Sequence, residues 1–246
     1  MRRPDGTEML STVTSQFVTR GLSLRRTAYS RRMSTPSRPL RVVAVSGSLT
    51  TPSRTTALVE EIVAAFARAV EPALEIDARV ITLNDLGPHL AGVLSRKALP
   101  PIAEAELQRI EAADLLVVAS PVYRASFTGL FKHLFDFVDQ YALVDTPVLL
   151  AATGGSERHA LIIEHQLRPL FGFFQSLALP VGVYAHDSDF VDYKISDPQL
   201  VDRIDKAVAR GLPLIRSSFA ERESIERTLA GEAVVDELPV ETVTVD

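Results

Sequence analysis

The chain has 246 residues, 46% of them hydrophobic, and no cysteine. It can therefore bury a sizeable core, while disulfides, thiolate catalysis and cysteine-based zinc sites are excluded. The net charge of −5 is uneven: residues 1–38 hold eight arginines against Asp5 and Glu8, a balance of +6, which leaves −11 on the remainder, and a globular part this acidic is a poor nucleic-acid binder.

Residues 1–38 are rich in Arg, Ser and Thr and lack a sustained apolar period. They are expected to be a disordered N-terminal extension. The same composition is that of an organelle transit peptide, and Met33, just upstream of the first strand, leaves open a later true start. From Leu40 the pattern alternates. Arg41–Ser46 reads as a short buried strand, and Thr55–Val70 as a helix with Leu58, Ile62, Ala65, Phe66 and Ala69 on one face. Ile76–Leu83 is a strand, Glu104–Ala113 a helix, and Asp114–Ser120, "DLLVVAS", a strand. Phe127–Val138 is an amphipathic helix, Pro147–Thr153, "PVLLAAT", a strand, and Glu157–Leu177 one long helix. Val181–Tyr184 is the last strand and Asp197–Arg210 the last helix, with Gly211 and Pro213 expected to end it. Glu221–Asp246 is acidic and expected to be a loose tail, which puts the folded domain at residues 39–220. Near-continuously apolar strands alternating with helices mark an α/β protein with a parallel sheet covered on both faces. No apolar run reaches the ~18 residues that span a bilayer, so a cytoplasmic protein without a membrane partner is expected.

In such a sheet, ligands bind outside the carboxyl ends of the strands. Three of those ends carry unusual residues. After the first strand comes "SGSLTTPSRTT", Ser46–Thr56, with six hydroxyl side chains after Ser46. Hydroxyls and free amides at a helix N-terminus cradle phosphate. Gly47 permits close backbone approach, Ser48, Ser53, Thr55 and Thr56 can donate, and Arg54 can supply charge. A plain helix cap needs only one or two hydroxyls. Neither G-x-G-x-x-G nor G-K-[ST] is present, so a monophosphate fits better than a dinucleotide or a Walker loop. After the third strand, Pro121, Val122, Tyr123 and Arg124 offer a stiff turn and a flat aromatic surface. After the fourth, Thr153, Gly154, Gly155, Ser156 and His159 form "TGGSERH", where the glycines admit a planar ring. His159 is open between a ring contact and a helix cap. No catalytic acid, nucleophile or metal cluster stands out; His89, His133 and His186 lack partners in the pattern.

These residues resemble the NAD(P)H-dependent FMN reductases of flavodoxin-like fold, above all the flavin reductases of two-component alkanesulfonate and methanesulfonate monooxygenase systems. The likeness rests on Gly47-Ser48 with Ser53-Arg54-Thr55, on "SPVY" at Ser120–Tyr123 with Gly129 and Lys132, on Ala152–Gly155 with His159, on "EHQLRPLFGFF" and on "VYAHDSDFVDY". One departure is Thr50, where many relatives carry a basic residue. The resemblance implies a three-layer sandwich with a five-stranded parallel sheet of order 2-1-3-4-5. It also implies FMN as cofactor, NAD(P)H as hydride donor and a flavin-dependent monooxygenase as partner. A quinone or azo reductase that keeps its flavin, or a non-enzymatic FMN electron carrier, are the alternatives. Finally, Pro169 lies within the predicted long helix and deprives the carbonyl of His165 of its hydrogen bond. A π-bulge would accommodate that, and in the resembling reductases such a bulge lies at a subunit interface. With Phe171, Phe173 and Phe174 nearby, a homo-oligomer, tetramer or dimer, with a contact near His165 is expected.

Overall fold

A computed structural model describes residues 38–71 and 73–231. Strand β1 (Leu40–Ser46) is buried on both faces. Its alternate residues feed separate cores: Val43 and Val45 belong to one, Leu40, Val42 and Ala44 to the other. This is why the run is continuously apolar rather than alternating. Helix α1 (Arg54–Val70) turns Leu58, Val59, Ile62 and Phe66 into the second core. Strand β2 (Ile76–Thr82) lies at the sheet edge and is largely exposed.

Helix α2 (Leu83–Leu90) follows directly, capped by Thr82, and was not foreseen. In the fold, Gly87 is there for packing: a Cβ at that position would come 2.5 Å from Leu130 Cδ2. Then come α3 (Pro101–Glu111), β3 (Leu115–Pro121), α4 (Gly129–Phe135) and β4 (Pro147–Gly154).

The predicted long helix at 157–177 is three pieces. A 3₁₀ turn at Glu157–His159 leads to a π-helical turn at Ile163–Leu167 and then to α5 (Arg168–Phe173). The amide of Arg168 reaches back five residues to the carbonyl of Ile163. The expected defect at His165 is therefore present as a π turn. Two of the three phenylalanines are not an external face, however. Phe171 and Phe174 are buried against Phe135, and only Phe173, 65% exposed, points outward.

The sheet is parallel in the order 2-1-3-4-5, with one refinement. Its last position is split into β5 (Leu177–Ala178) and β6 (Val183–His186), both paired with β4. Pro180, between them, has no N–H to give to a ladder, and residues 179–182 bulge past only two residues of β4. A short antiparallel hairpin, β7 (Phe190–Val191) and β8 (Lys194–Ile195), turns at Asp192 and Tyr193, both with positive φ.

Helix α6 (Pro198–Leu229) corrects the expectation that the last helix ends at Arg210. Gly211 is no stop signal: a Cβ there would meet Leu179 Cδ1 at 2.6 Å, so glycine lets the helix lie close to the sheet's second face. Ile215 and Phe219 continue the buried stripe. Residues 221–229 thus belong to a helix rather than to a tail. The N-terminal extension expected at 1–38 falls, up to residue 37, outside the described residues, as do residues 232–246. The first core, under α2 to α5, and the second, under α1 and α6, make the three layers. No helix among the described residues is long and apolar enough to cross a membrane.

Candidate functional site at the carboxyl edge of the sheet

The sheet order reverses between β1 and β3, and there the three chosen loops meet. They hold one another by backbone and hydroxyl bonds. The Gly47 amide donates to the Ala119 carbonyl at 2.7 Å, joining the first loop to the second. The Val122 amide donates to the Thr153 carbonyl at 2.9 Å, joining the second to the third. Thr55 and Thr153 share a buried hydroxyl–hydroxyl bond of 2.7 Å, joining the third to the first. Gly47 suits this tight crossing, because a Cβ would lie 3.0 Å from Phe131 Cδ2 and 3.1 Å from the Ala119 carbonyl.

The hydroxyls of the first loop divide their work. Ser46 is buried and bonded to Thr56 Oγ1 at 2.8 Å, so it ties strand to helix. Thr55 is likewise turned inward. Ser48 lies 3.2 Å from the Thr50 carbonyl and shapes the loop. Ser53 is the cap of α1 and accepts the Thr56 amide at 3.1 Å. Its hydroxyl proton and the first-turn amides of Arg54 and Thr55, which have no acceptor within the helix, could serve a ligand. The loop contains no carboxylate. That set fits a phosphate at a helix N-terminus.

The second loop is a tight turn in which Tyr123 and Ser126 pair in both directions, at 2.8 and 3.1 Å, with Arg124 and Ala125 in left-handed backbone. Pro121 ends β3, and Tyr123 is 49% exposed beside it. Ser126 also donates to Gln166 on the π turn at 3.2 Å. In the third loop, Ser156 caps the 3₁₀ turn, so that role is not His159's. His159 Nδ1 is buried without a partner among the described residues, facing Gly154. A Cβ at Gly154 would lie 2.6 Å from the Tyr184 hydroxyl and 3.3 Å from His159 Nδ1. Tyr184 donates to the Ser156 carbonyl at 2.6 Å, and burial pushes its phenol above the ordinary range.

Arg54, expected to face a phosphate, is already engaged. It pairs with Asp187 at 3.5 Å and stacks on Tyr193 with 5.4 Å to the ring centroid. Asp187, Tyr193 and Tyr184 were missed as site residues. They lie in "VYAHDSDFVDY", one of the stretches that carry the family likeness, but nothing local in it says that it folds back onto α1.

A doubly wound sheet of this order, with its ligand loops at the β1/β3 switch point, defines the flavodoxin-like class, in which FMN sits at that switch point. Residues 40–190 match the family described as NADPH-dependent FMN reductase, and the chain belongs to it. It is an NAD(P)H:FMN oxidoreductase, with FMN as cofactor and NAD(P)H as electron donor. The chain is 56% identical over 178 residues to the NADH-dependent FMN reductase SfnF of Pseudomonas fluorescens, covering 72% of this chain and 93% of that protein. It is 53% identical over 176 residues to an FMN reductase (NADPH) of Pseudomonas aeruginosa, covering 72% and 92%. Among solved structures, an oxidoreductase from Corynebacterium diphtheriae superposes with a TM-score of 0.66 at 34% identity, covering 73% of this chain and 99% of that one.

Proposed function

We propose that the FMN phosphate lies on the Ser48–Thr55 loop at the start of α1. The flavin ring then lies between Pro121–Arg124 and Thr153–Ser156, with His159 at its edge and one face left for nicotinamide. The observation that carries this reading is the mutual locking of the three loops around Thr55, Thr153 and Gly47 at the switch point. It leaves a set of hydroxyl and amide donors, from a loop that has no carboxylate of its own, beside a glycine-lined shelf. Flavin supplies the hydride chemistry when bound. The chain's own work is to fix the phosphate, to hold the ring loop through the Tyr184–Ser156 bond and to keep one ring face accessible.

The relatives named SfnF and SfnE support a physiological role in handing reduced flavin to a partner monooxygenase. The exposed Phe173 and Leu161 flanking the π turn support a homo-oligomer with its contact near His165. Steady-state oxidation of NADH and NADPH with free FMN, FAD and riboflavin, and then with quinones, tests the reading. FMN should be the best flavin and should turn over as a dissociable substrate. Quinone reduction that outpaces FMN reduction, on flavin that stays bound through gel filtration, would replace it with a quinone reductase.

A further inference from the structure

Arg54 is the one cation of the phosphate loop, and the fold does not leave it free for phosphate. Its guanidinium is shared between a carboxylate, Asp187, and an aromatic face, Tyr193. Both come from the segment after β6, on the far side of β4 from β1. The turn that bears Asp187 is pinned by other residues. Asp189 Oδ2 accepts the His186 amide at 2.8 Å, the Asp189 carbonyl accepts the Ser196 amide at 2.8 Å, and His186 Nδ1 pairs with Ser188 Oγ at 2.8 Å. Among the described residues, the Asp187 carboxylate itself has Arg54 as its partner. It also hangs over the ring loop, with Oδ2 3.2 Å from where a Cβ on Gly155 would be. One exposed carboxylate therefore stands between the phosphate end and the ring end of the site, held ready rather than buried.

We infer that Asp187 is a specificity-determining latch: it competes with the FMN phosphate for Arg54 and so keeps FMN exchangeable. This rests on the phosphate placement proposed above. The Arg54 contact to Asp187 at 3.5 Å draws on donors that a bidentate phosphate would also use, so FMN binding competes with the Asp187–Arg54 pair. Because both side chains are half exposed, the pair is worth little by itself. It is enough to set an affinity a few-fold weaker than the loop would otherwise give, without abolishing binding. Riboflavin has no phosphate and does not meet the latch. Asp187 thus narrows the preference for FMN over riboflavin, in keeping with a reductase whose flavin has to leave.

The test is a double-mutant cycle read by flavin fluorescence quenching with FMN and with riboflavin, on the full chain. Arg54→Ala should weaken FMN and spare riboflavin. Asp187→Asn should tighten FMN by about two- to fivefold, the range of an exposed ion pair, with riboflavin unchanged. In the Arg54→Ala background, Asp187→Asn should have no effect on FMN. If Arg54→Ala behaves as stated but Asp187→Asn leaves FMN unchanged or weaker, the latch is refuted and the phosphate placement survives. Tightening that persists without Arg54 would mean direct repulsion between carboxylate and phosphate, which also refutes the latch. Equal loss of FMN and riboflavin in Arg54→Ala removes both.

Discussion

Ser53 can do two things through one oxygen: it caps α1 by accepting the Thr56 amide, and its hydroxyl can still donate to a ligand. Ser53→Ala should cost about 1 kcal/mol of stability through the lost cap and weaken FMN, with riboflavin affinity nearly intact. Ser53→Asp separates the two roles. It restores a cap acceptor, so thermal stability should return, yet a carboxylate facing the phosphate should make FMN binding worse than in the alanine variant. If both variants bind FMN like the native chain, the phosphate is not at this helix start. The ring loop has its own residue-scale test. Gly154→Ala must push on the Tyr184 hydroxyl, which sits 2.6 Å from the new methyl. Tyr184→Phe removes that oxygen together with its bond to Ser156. The double variant should therefore recover part of the FMN reductase rate lost by Gly154→Ala, an outcome excluded if the two losses simply add.

At the scale of elements, the π turn at Ile163–Leu167 carries the clearest expectation. It abuts Pro169, which cannot donate to His165, and the Arg168 amide takes the carbonyl of Ile163. Deleting His165 removes the extra residue and should restore regular helix. Light scattering should then show a changed oligomer distribution and stopped-flow a changed flavin release rate; an unaltered assembly and rate would leave the turn without a role. This defect was legible from the sequence because the proline beside it is a local signal. So were β1, β3 and β4, whose uninterrupted Val, Leu and Ala runs have few other readings. Signals that depend on a partner were not legible. Gly211 reads as a breaker, but it is a contact point with Leu179, as Gly87 is with Leu130. The buried stripe Leu200, Ile204, Ala207, Ile215 and Phe219 kept helical spacing throughout α6 and outweighed Gly211 and Pro213. The site divided in the same way. Loop residues with unusual composition could be picked from the sequence, whereas Asp187 and Tyr193 reach Arg54 only through the folding of a distant hairpin.

The whole molecule is closed at the other end of the sheet by a charge cluster that joins three distant segments. Asp114, buried just before β3, accepts Arg38 Nη1 at 2.6 Å and the Arg41 amide at 2.9 Å, both at the start of β1. From the last turns of α6, Glu226 binds the same two arginines, and Arg222 donates to the Ala113 carbonyl at 2.7 Å and to Thr146 at 2.8 Å. Burial works to raise the Asp114 carboxyl, but hydrogen bonds from Arg38 and Arg41 outweigh it and hold the group below its ordinary value. A carboxylate depressed in the folded state stabilises the fold above its unfolded pKa of about 3.9, and that contribution is lost as pH falls through the lower folded value. Asp114→Asn leaves two arginines without their central acceptor and should cost on the order of 3 kcal/mol at pH 7. Because the native chain alone loses this contribution in acid, the gap between the two proteins should narrow progressively below about pH 4. Urea titrations of both at pH 7, 5 and 3 measure it. A gap of constant size across that range would mean that Asp114 acts by shape and hydrogen bonding rather than by charge. Truncation after Ala220 removes Glu226 and Arg222, the latter 3.8 Å from Asp114, while leaving Asp114 with Arg38 and Arg41 in place. It should lower the melting temperature but preserve the acid dependence, because the titrating group and its strongest partners remain.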